Sequence, residues 1–424
     1  MRNKYSRRSF FALGRSALAS LGLAGFVAPL NVAAAVEPSI GDEVDYYDKL
    51  GVKKIINAAG TYTMYTASIM PPSVQAAVAT AAKHPVRLNE LQLASGAYIA
   101  KKLHCEAALV SAGAASGLTL GTAACITVAN RNQGDHIPQH IPQALDGLKY
   151  EVIMQKGHRY SYDHALLNCG VRIVEVETIE QYSAAFNSNT VLAHYFNAAT
   201  SGNIGHKDWI RIAHQHHVPC MNDAAADVPP ISNLWNYTQM GYDLVTISGG
   251  KGIRGPQNAG LLLGKRELID AAMLNNNSID DVVGRAQKVA KEQIIGMVAA
   301  VDWILSQSED QMTAEFHARA QRIADYLKSV PTLTSEIFVP PVCNHVPTLL
   351  LRYDQKKVKI SPRQVLETLR NGSPNIELHP ATGEKSPGLP SDENTILVGV
   401  WMLQPGEDML VARHLRKVLM SAVS

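Results

Sequence analysis

Asp243-Leu244-Val245-Thr246-Ile247-Ser248-Gly249-Gly250-Lys251-Gly252-Ile253-Arg254-Gly255-Pro256-Gln257 is the stretch that decides the reading of this chain. Its first six residues form an apolar, β-branched run, which predicts a buried strand. The strand ends at Ser248, and a single lysine follows among glycines, which let backbone approach a bulky group closely. A lysine held in a desolvated or cationic setting loses its proton readily and can form a Schiff base with a carbonyl compound. A solvated lysine on a surface turn satisfies the same pattern.

Working towards the N-terminus, Val218-Pro219-Cys220-Met221-Asn222-Asp223 is a second apolar strand, ending in a carboxylate and followed by Ala224-Ala225-Ala226-Asp227. A carboxylate at a strand end can keep a pyridinium nitrogen protonated through a charge-assisted hydrogen bond. It can equally cap a helix. Val110-Ser111-Ala112-Gly113-Ala114-Ala115-Ser116 opens a run without charge over 107–129. Free N–H groups at a helix start beside small side chains suit a phosphate, and close helix packing explains the same composition. A membrane span fits the run poorly, because Ser, Thr and Gly recur in it.

Further short strands are expected at 151–154, 171–176 and 191–196, with helices over 73–83, 91–103 and 207–217. This alternation predicts a mainly parallel sheet covered by helices, with functional groups at the carboxyl ends of its strands. A long amphipathic stretch runs over 282–306 and continues over 311–327. Beyond Pro331, strands at 348–352 and 395–400 and helices over 362–370 and 407–422 predict a smaller α+β domain.

The N-terminus reads Ser6-Arg7-Arg8-Ser9-Phe10-Phe11, followed by a mostly apolar stretch and Ala33-Ala34-Ala35. That is the layout of a twin-arginine secretory signal with a small-residue cleavage site. It predicts passage across the membrane in a folded state through the twin-arginine export machinery, and a periplasmic location. The division is then 1–35 signal, 36–85 N-terminal segment, 86–330 large domain and 331–424 small domain. Residues 1–35 carry five basic side chains and no acidic one; the 34 basic and 37 acidic side chains that remain leave −3. A slightly acidic body argues against nucleic acid as a partner. Hydrophobic residues at 46% and charged residues at 18% exclude a disordered chain. Five scattered cysteines make no C-x-x-C pair, and so neither a disulfide framework nor a zinc knuckle is expected.

The order of a phosphate-type helix start, an aspartate at a strand end and a glycine-flanked lysine about 28 residues later resembles fold-type I pyridoxal-phosphate enzymes. The stretches Glu106-Ala107-Ala108-Leu109-Val110-Ser111-Ala112-Gly113-Ala114-Ala115, Ser248-Gly249-Gly250-Lys251 with Gly255-Pro256-Gln257, and Gly284-Arg285-Ala286-Gln287-Lys288-Val289-Ala290-Lys291-Glu292 narrow the likeness. They are similar to the family of bacterial selenocysteine synthase and D-glucosaminate-6-phosphate ammonia-lyase, more so to the ammonia-lyase branch, over about residues 50–400.

The resemblance implies an aspartate-aminotransferase-like large domain and pyridoxal 5'-phosphate as cofactor; the cysteine and histidine spacings call for no metal. It implies that Lys251 carries the cofactor as a Schiff base and that Asp223 pairs with the ring nitrogen. Ser111, Gly113, Ala114 and Ser248 would bind the phosphate, and His158 would lie over the ring face. Arg254 would hold a substrate carboxylate, and a structural ion pair accounts for it equally. A homodimer or larger homo-oligomer is implied, with the 57–70 segment near the partner's site. The implied reaction is α,β-elimination from a small hydroxy amino acid or amino sugar acid, giving a 2-oxo acid and ammonia. Racemisation, transamination, selenium-transferase-like β-replacement and cofactor binding without turnover are the competing readings.

His206, His214, His216 and His217 cluster on or beside one short helix, but not as H-E-x-x-H and with no carboxylate partner in view, so no zinc site is expected there. Cys220 reads as a small buried hydrophobe.

Overall fold

The computed structural model describes residues 44–143, 145–380, 388–390 and 392–423. The expected export signal at 1–35 lies outside them. The chain divides into two units after Lys53. In the first, the described part is one short helix, Tyr46–Leu50, capped by the Asp45 side chain and ended by Gly51 in the left-handed region.

The second unit holds the described strands. They are β1 Ile55–Ala58, β2 Ala107–Ser111, β3 Glu151–Gln155, β4 Arg172–Val176, β5 Thr190–Phe196, β6 Cys220–Asp223, β7 Leu244–Ser248, β8 Gly260–Gly264, β9 Thr334–Phe338, β10 Thr348–Arg352, β11 Asn375–Leu378 and β12 Ile396–Gly399. Seven form one sheet in the order β2-β8-β7-β6-β5-β3-β4. The pairs from β7 to β4 are parallel, and β8 runs antiparallel between β2 and β7. Side chains alternate between faces, as the strand period of two requires. Val245 and Ile247 enter one apolar core and Leu244 the other.

The uncharged run 107–129 divides into β2 and the helix Gly113–Ala129. The helix lies so close to the sheet that its glycines are steric necessities. A Cβ at Gly117 would sit 2.2 Å from Thr246 Oγ1, and one at Gly121 would sit 2.7 Å from Met221 Sδ. Among the described residues no helix is long and apolar enough to cross a membrane. The helix expected from 282 begins at Lys291, after a 3-10 turn over Val283–Ala286.

Beyond residue 331, β9, β10 and β12 form a three-stranded antiparallel sheet. The helix Pro362–Arg370 starts with proline at its first position and a Ser361–Gln364 capping box. β1, from the N-terminal segment, pairs in parallel with β11. That pairing ties residues 55–58 to the C-terminal part of the chain.

Candidate functional site

The parallel strands bring their carboxyl ends to one edge of the sheet. β5 ends there at Phe196, β6 at Asp223, β7 at Ser248 and β2 at Ser111. β8 starts at that same edge, with Gly260 in register with both Ser111 and Ser248. A Cβ at Gly260 would meet the Gly113 carbonyl carbon at 2.6 Å and Ala114 N at 2.8 Å, so the start of the helix Gly113–Ala129 nestles directly against it. This edge opens on a cavity of about 670 Å³. Gly113, Ala114, Asp223, Ser248 and Lys251 all line it.

Asp223 is buried. Its carboxylate accepts hydrogen bonds from the Tyr160 hydroxyl at 2.5 Å and from Ala225 N at 3.0 Å. It makes no ion pair among the described residues. Burial raises its pKa against those two hydrogen bonds and the nearby charge of Lys251. A buried carboxylate on a cavity wall, with no ion pair to satisfy it, suits a protonated ring nitrogen as its partner. Gly113 has φ +81, and nothing lies within 4 Å of where its Cβ would be. The helix start, with the free N–H groups of its first turn, therefore faces open space suited to a phosphate.

Lys251 sits on the loop after β7, locked by close approaches. A Cβ on Gly250 would be 2.6 Å from Gln257 Cα, and one on Gly252 would be 2.0 Å from the Val228 carbonyl oxygen. Ser68 Oγ donates to the Gly250 carbonyl at 2.6 Å.

Three of the expected site residues stand elsewhere. Ser111 is fully buried, and its hydroxyl donates to the Gly113 carbonyl at 2.8 Å. His158 is buried behind the wall, where its Nδ1 accepts from Phe196 N at 3.2 Å and its ring packs edge-on against Tyr195. Burial pushes its pKa down to about 4, so the ring stays neutral. Arg254 donates to the Trp401 carbonyl at 2.8 Å and lies over the Trp303 ring.

Other residues complete the wall. Phe196 lines the cavity and stacks on Tyr160 with ring centroids 3.9 Å apart. Tyr160 is two residues from His158, close to the signal that the sequence offered. Ala59 to Thr63 line this chain's own cavity, and Tyr62 contacts His379 through its hydroxyl. Cys343 and Asn344 close another side, with Asn344 N donating to the Ala226 carbonyl at 2.6 Å.

Asp227 is the most informative addition. It is buried on the cavity wall, four residues past Asp223. Its Oδ2 accepts from Asn197 Nδ2 at 2.7 Å. Burial, and the neighbouring Asp223 charge, push its carboxyl up to about 7 against that hydrogen bond. Its place in the Asp223-to-Asp227 stretch was visible in the sequence, but nothing there showed that both carboxyls share one cavity.

Comparison with known proteins agrees with this geometry. Residues 169–346 match the family Aminotransferase class-V. The chain is 27% identical to D-glucosaminate-6-phosphate ammonia lyase of Salmonella typhimurium over 338 residues, 77% of this chain and 87% of that one. It is 26% identical to 5'-C-glycyluridine monooxygenase-decarboxylase of a Streptomyces species, over 80% of this chain and 85% of the relative. A solved structure of D-glucosaminate-6-phosphate ammonia-lyase superposes with a TM-score of 0.75 at 25% identity, covering 89% of this chain and 99% of that one. The fold is that of fold-type I pyridoxal-phosphate enzymes, and pyridoxal phosphate is the cofactor. The Asp223 carboxylate, the open helix start at Gly113 and Lys251, all on the same cavity, match the three chemical handles of that molecule.

Proposed function

We propose that this protein is a pyridoxal-phosphate-dependent lyase that carries out α,β-elimination on a small hydroxy amino acid or amino sugar acid, releasing ammonia and a 2-oxo acid. The supporting observation is that Lys251 and Asp227 share one cavity wall, since elimination needs a base at Cα and an acid at the leaving group on Cβ.

Lys251 would hold the cofactor at Nζ, Gly113, Ala114 and Ser248 its phosphate, and Asp223 the proton on its ring nitrogen. Bound there, the cofactor supplies an electron sink for negative charge at Cα. Once the substrate amine has displaced it from the cofactor, Lys251 Nζ would take the Cα proton. Asp227, protonated below about pH 7, gives its proton to the departing hydroxyl. Phe196, stacked on Tyr160, shields the cavity beside Asp223 from water. The reading extends to an exported, periplasmic homo-oligomer, supported by the Arg7-Arg8 signal at the N-terminus and the likeness to the ammonia-lyase.

The test is a screen of D- and L-hydroxy amino acids and amino sugar acids against the purified protein, reading cofactor absorbance, ammonia and keto acid. The proposal expects ammonia and 2-oxo acid in equal amounts from at least one compound. Inversion at Cα without ammonia would make it a racemase, and an unchanged spectrum across the panel a non-catalytic cofactor carrier. Carbon dioxide release with oxygen uptake would place it with the activity named for the Streptomyces relative.

A further inference from the structure

At the other end of β6 and β7 from the cavity, three side chains of different chemistry converge. His214 stands in the last turn of the helix His206–Gln215, Cys220 opens β6, and Asp243 immediately precedes β7. His214 Nε2 and Asp243 Oδ2 are 2.8 Å apart, Cys220 Sγ and Asp243 Oδ2 are 3.4 Å apart, and Cys220 Sγ and His214 Nε2 are 3.8 Å apart. We propose that His214, Cys220 and Asp243 bind one divalent transition-metal ion of the zinc type, as a structural site.

Zinc holds nitrogen and oxygen at about 2.0–2.2 Å and sulfur at about 2.3 Å in tetrahedral geometry, which spaces the donor atoms by about 3.3–3.6 Å. The three observed separations bracket that spacing. A catalytic relay is the other use of such a trio, but it places thiol and carboxylate on opposite ring nitrogens. Here both face Nε2, so the donor atoms surround a point instead of forming a line. Mixed nitrogen, sulfur and oxygen donors suit zinc.

Charge favours the same conclusion. A thiolate, a carboxylate and a neutral imidazole cancel the charge of a divalent ion, which removes the cost of an unpaired buried charge. The carboxylate is already oriented, because Asp243 Oδ2 accepts Cys220 N at 2.8 Å, the kind of outer-shell support that metal ligands have. The His214 side chain is 44% exposed while that of Asp243 is 13% exposed. That leaves a path for the ion and a side for a fourth, water ligand. The histidines gave no zinc signal in the sequence because the missing partners lie six and 29 residues further on. The ion would clamp the helix to the two strands whose far ends carry Asp223 and Ser248.

The test uses purified, chelator-treated holoprotein dialysed against zinc chloride, with bound zinc measured by mass spectrometry. One equivalent per chain is expected. His214→Ala, at an exposed helix end, and Cys220→Ser should each weaken binding at least tenfold, while His216→Ala and His217→Ala bind as the unaltered protein does. Unchanged cofactor absorbance checks that each variant is folded. Cobalt(II) in place of zinc should add a thiolate charge-transfer band, seen as the difference between the unaltered protein and Cys220→Ser so that cofactor absorption cancels. No retained zinc at a tenfold molar excess, or equal retention in His214→Ala and Cys220→Ser, would overturn the proposal.

Discussion

Gly252→Ala tests how the lysine loop is built. A Cβ at this position would lie 2.0 Å from the Val228 carbonyl oxygen and 2.8 Å from its carbon, where real Cβ contacts do not fall below 3.0 Å. The obstruction is backbone, which cannot swing aside as a side chain can. Relief requires the two segments to part by about 1 Å, and overpacking of that kind costs about 3 kcal/mol. One segment carries Lys251 and the other Asp227, so the two cavity groups are pushed apart. A displacement of about 1 Å at reacting groups costs on the order of 100-fold in rate. The assay combines thermal unfolding with cofactor retention after dialysis and turnover of whichever substrate the screen identifies. The matched control is Gly205→Ala, a helix N-cap where nothing lies within 4 Å of the new methyl; it should cost no more than about 1 kcal/mol. If Gly252→Ala unfolds, retains cofactor and turns over like Gly205→Ala, the close approach does not shape the site.

Asp227→Asn should keep the cofactor and slow elimination by about 100- to 10,000-fold, leaving a residual rate that can be followed with pH. The sign follows from the raised carboxyl: it holds its proton below about pH 7, so a proton-donating role is active on the acid side and fades as pH rises through 7. The variant should abolish that alkaline fall in kcat, and an unchanged pH–rate profile would remove Asp227 from the mechanism. The same shift means that ionising Asp227 opposes folding. That opposition is absent at low pH and grows as pH rises towards 7, so Asp227→Asn should melt higher than the parent at pH 8 and show a smaller gain at pH 5, by thermal melts at both. Trp209 is fully buried and stacked on Tyr182 with centroids 3.9 Å apart; Trp209→Ala should cost about 3–5 kcal/mol in denaturant unfolding without altering the pH profile. Arg7→Lys with Arg8→Lys should hold the protein in the cytoplasm on cell fractionation, and a periplasmic fraction equal to the parent's would refute the export reading.

The sheet was legible because its central strands are apolar runs closed by polar residues. Asp223 and Ser248 mark those ends, and the fold places both on the cavity. β8 was not legible: Gly260-Leu261-Leu262-Leu263-Gly264 is five residues long and short of β-branched side chains, and only its pairing with β2 and β7 defines it. The uncharged run 107–129 hid a strand before its helix because both are buried and neither shows a polar face. Tyr62, His379 and Trp401 reach the cavity from distant parts of the chain, and no local pattern foretells that meeting. His158 was named only through the family likeness; the structure buries it, accepting from Phe196 N, while Phe196 itself lines the cavity, and no local pattern in the sequence separates the two.

The most direct measurement is borohydride reduction of the purified holoprotein followed by peptide mass spectrometry. The account predicts a pyridoxyl group fixed on the peptide containing Lys251, and none after Lys251→Ala. A pyridoxyl group on another lysine, or no modified peptide from protein that still carries the cofactor, would contradict it.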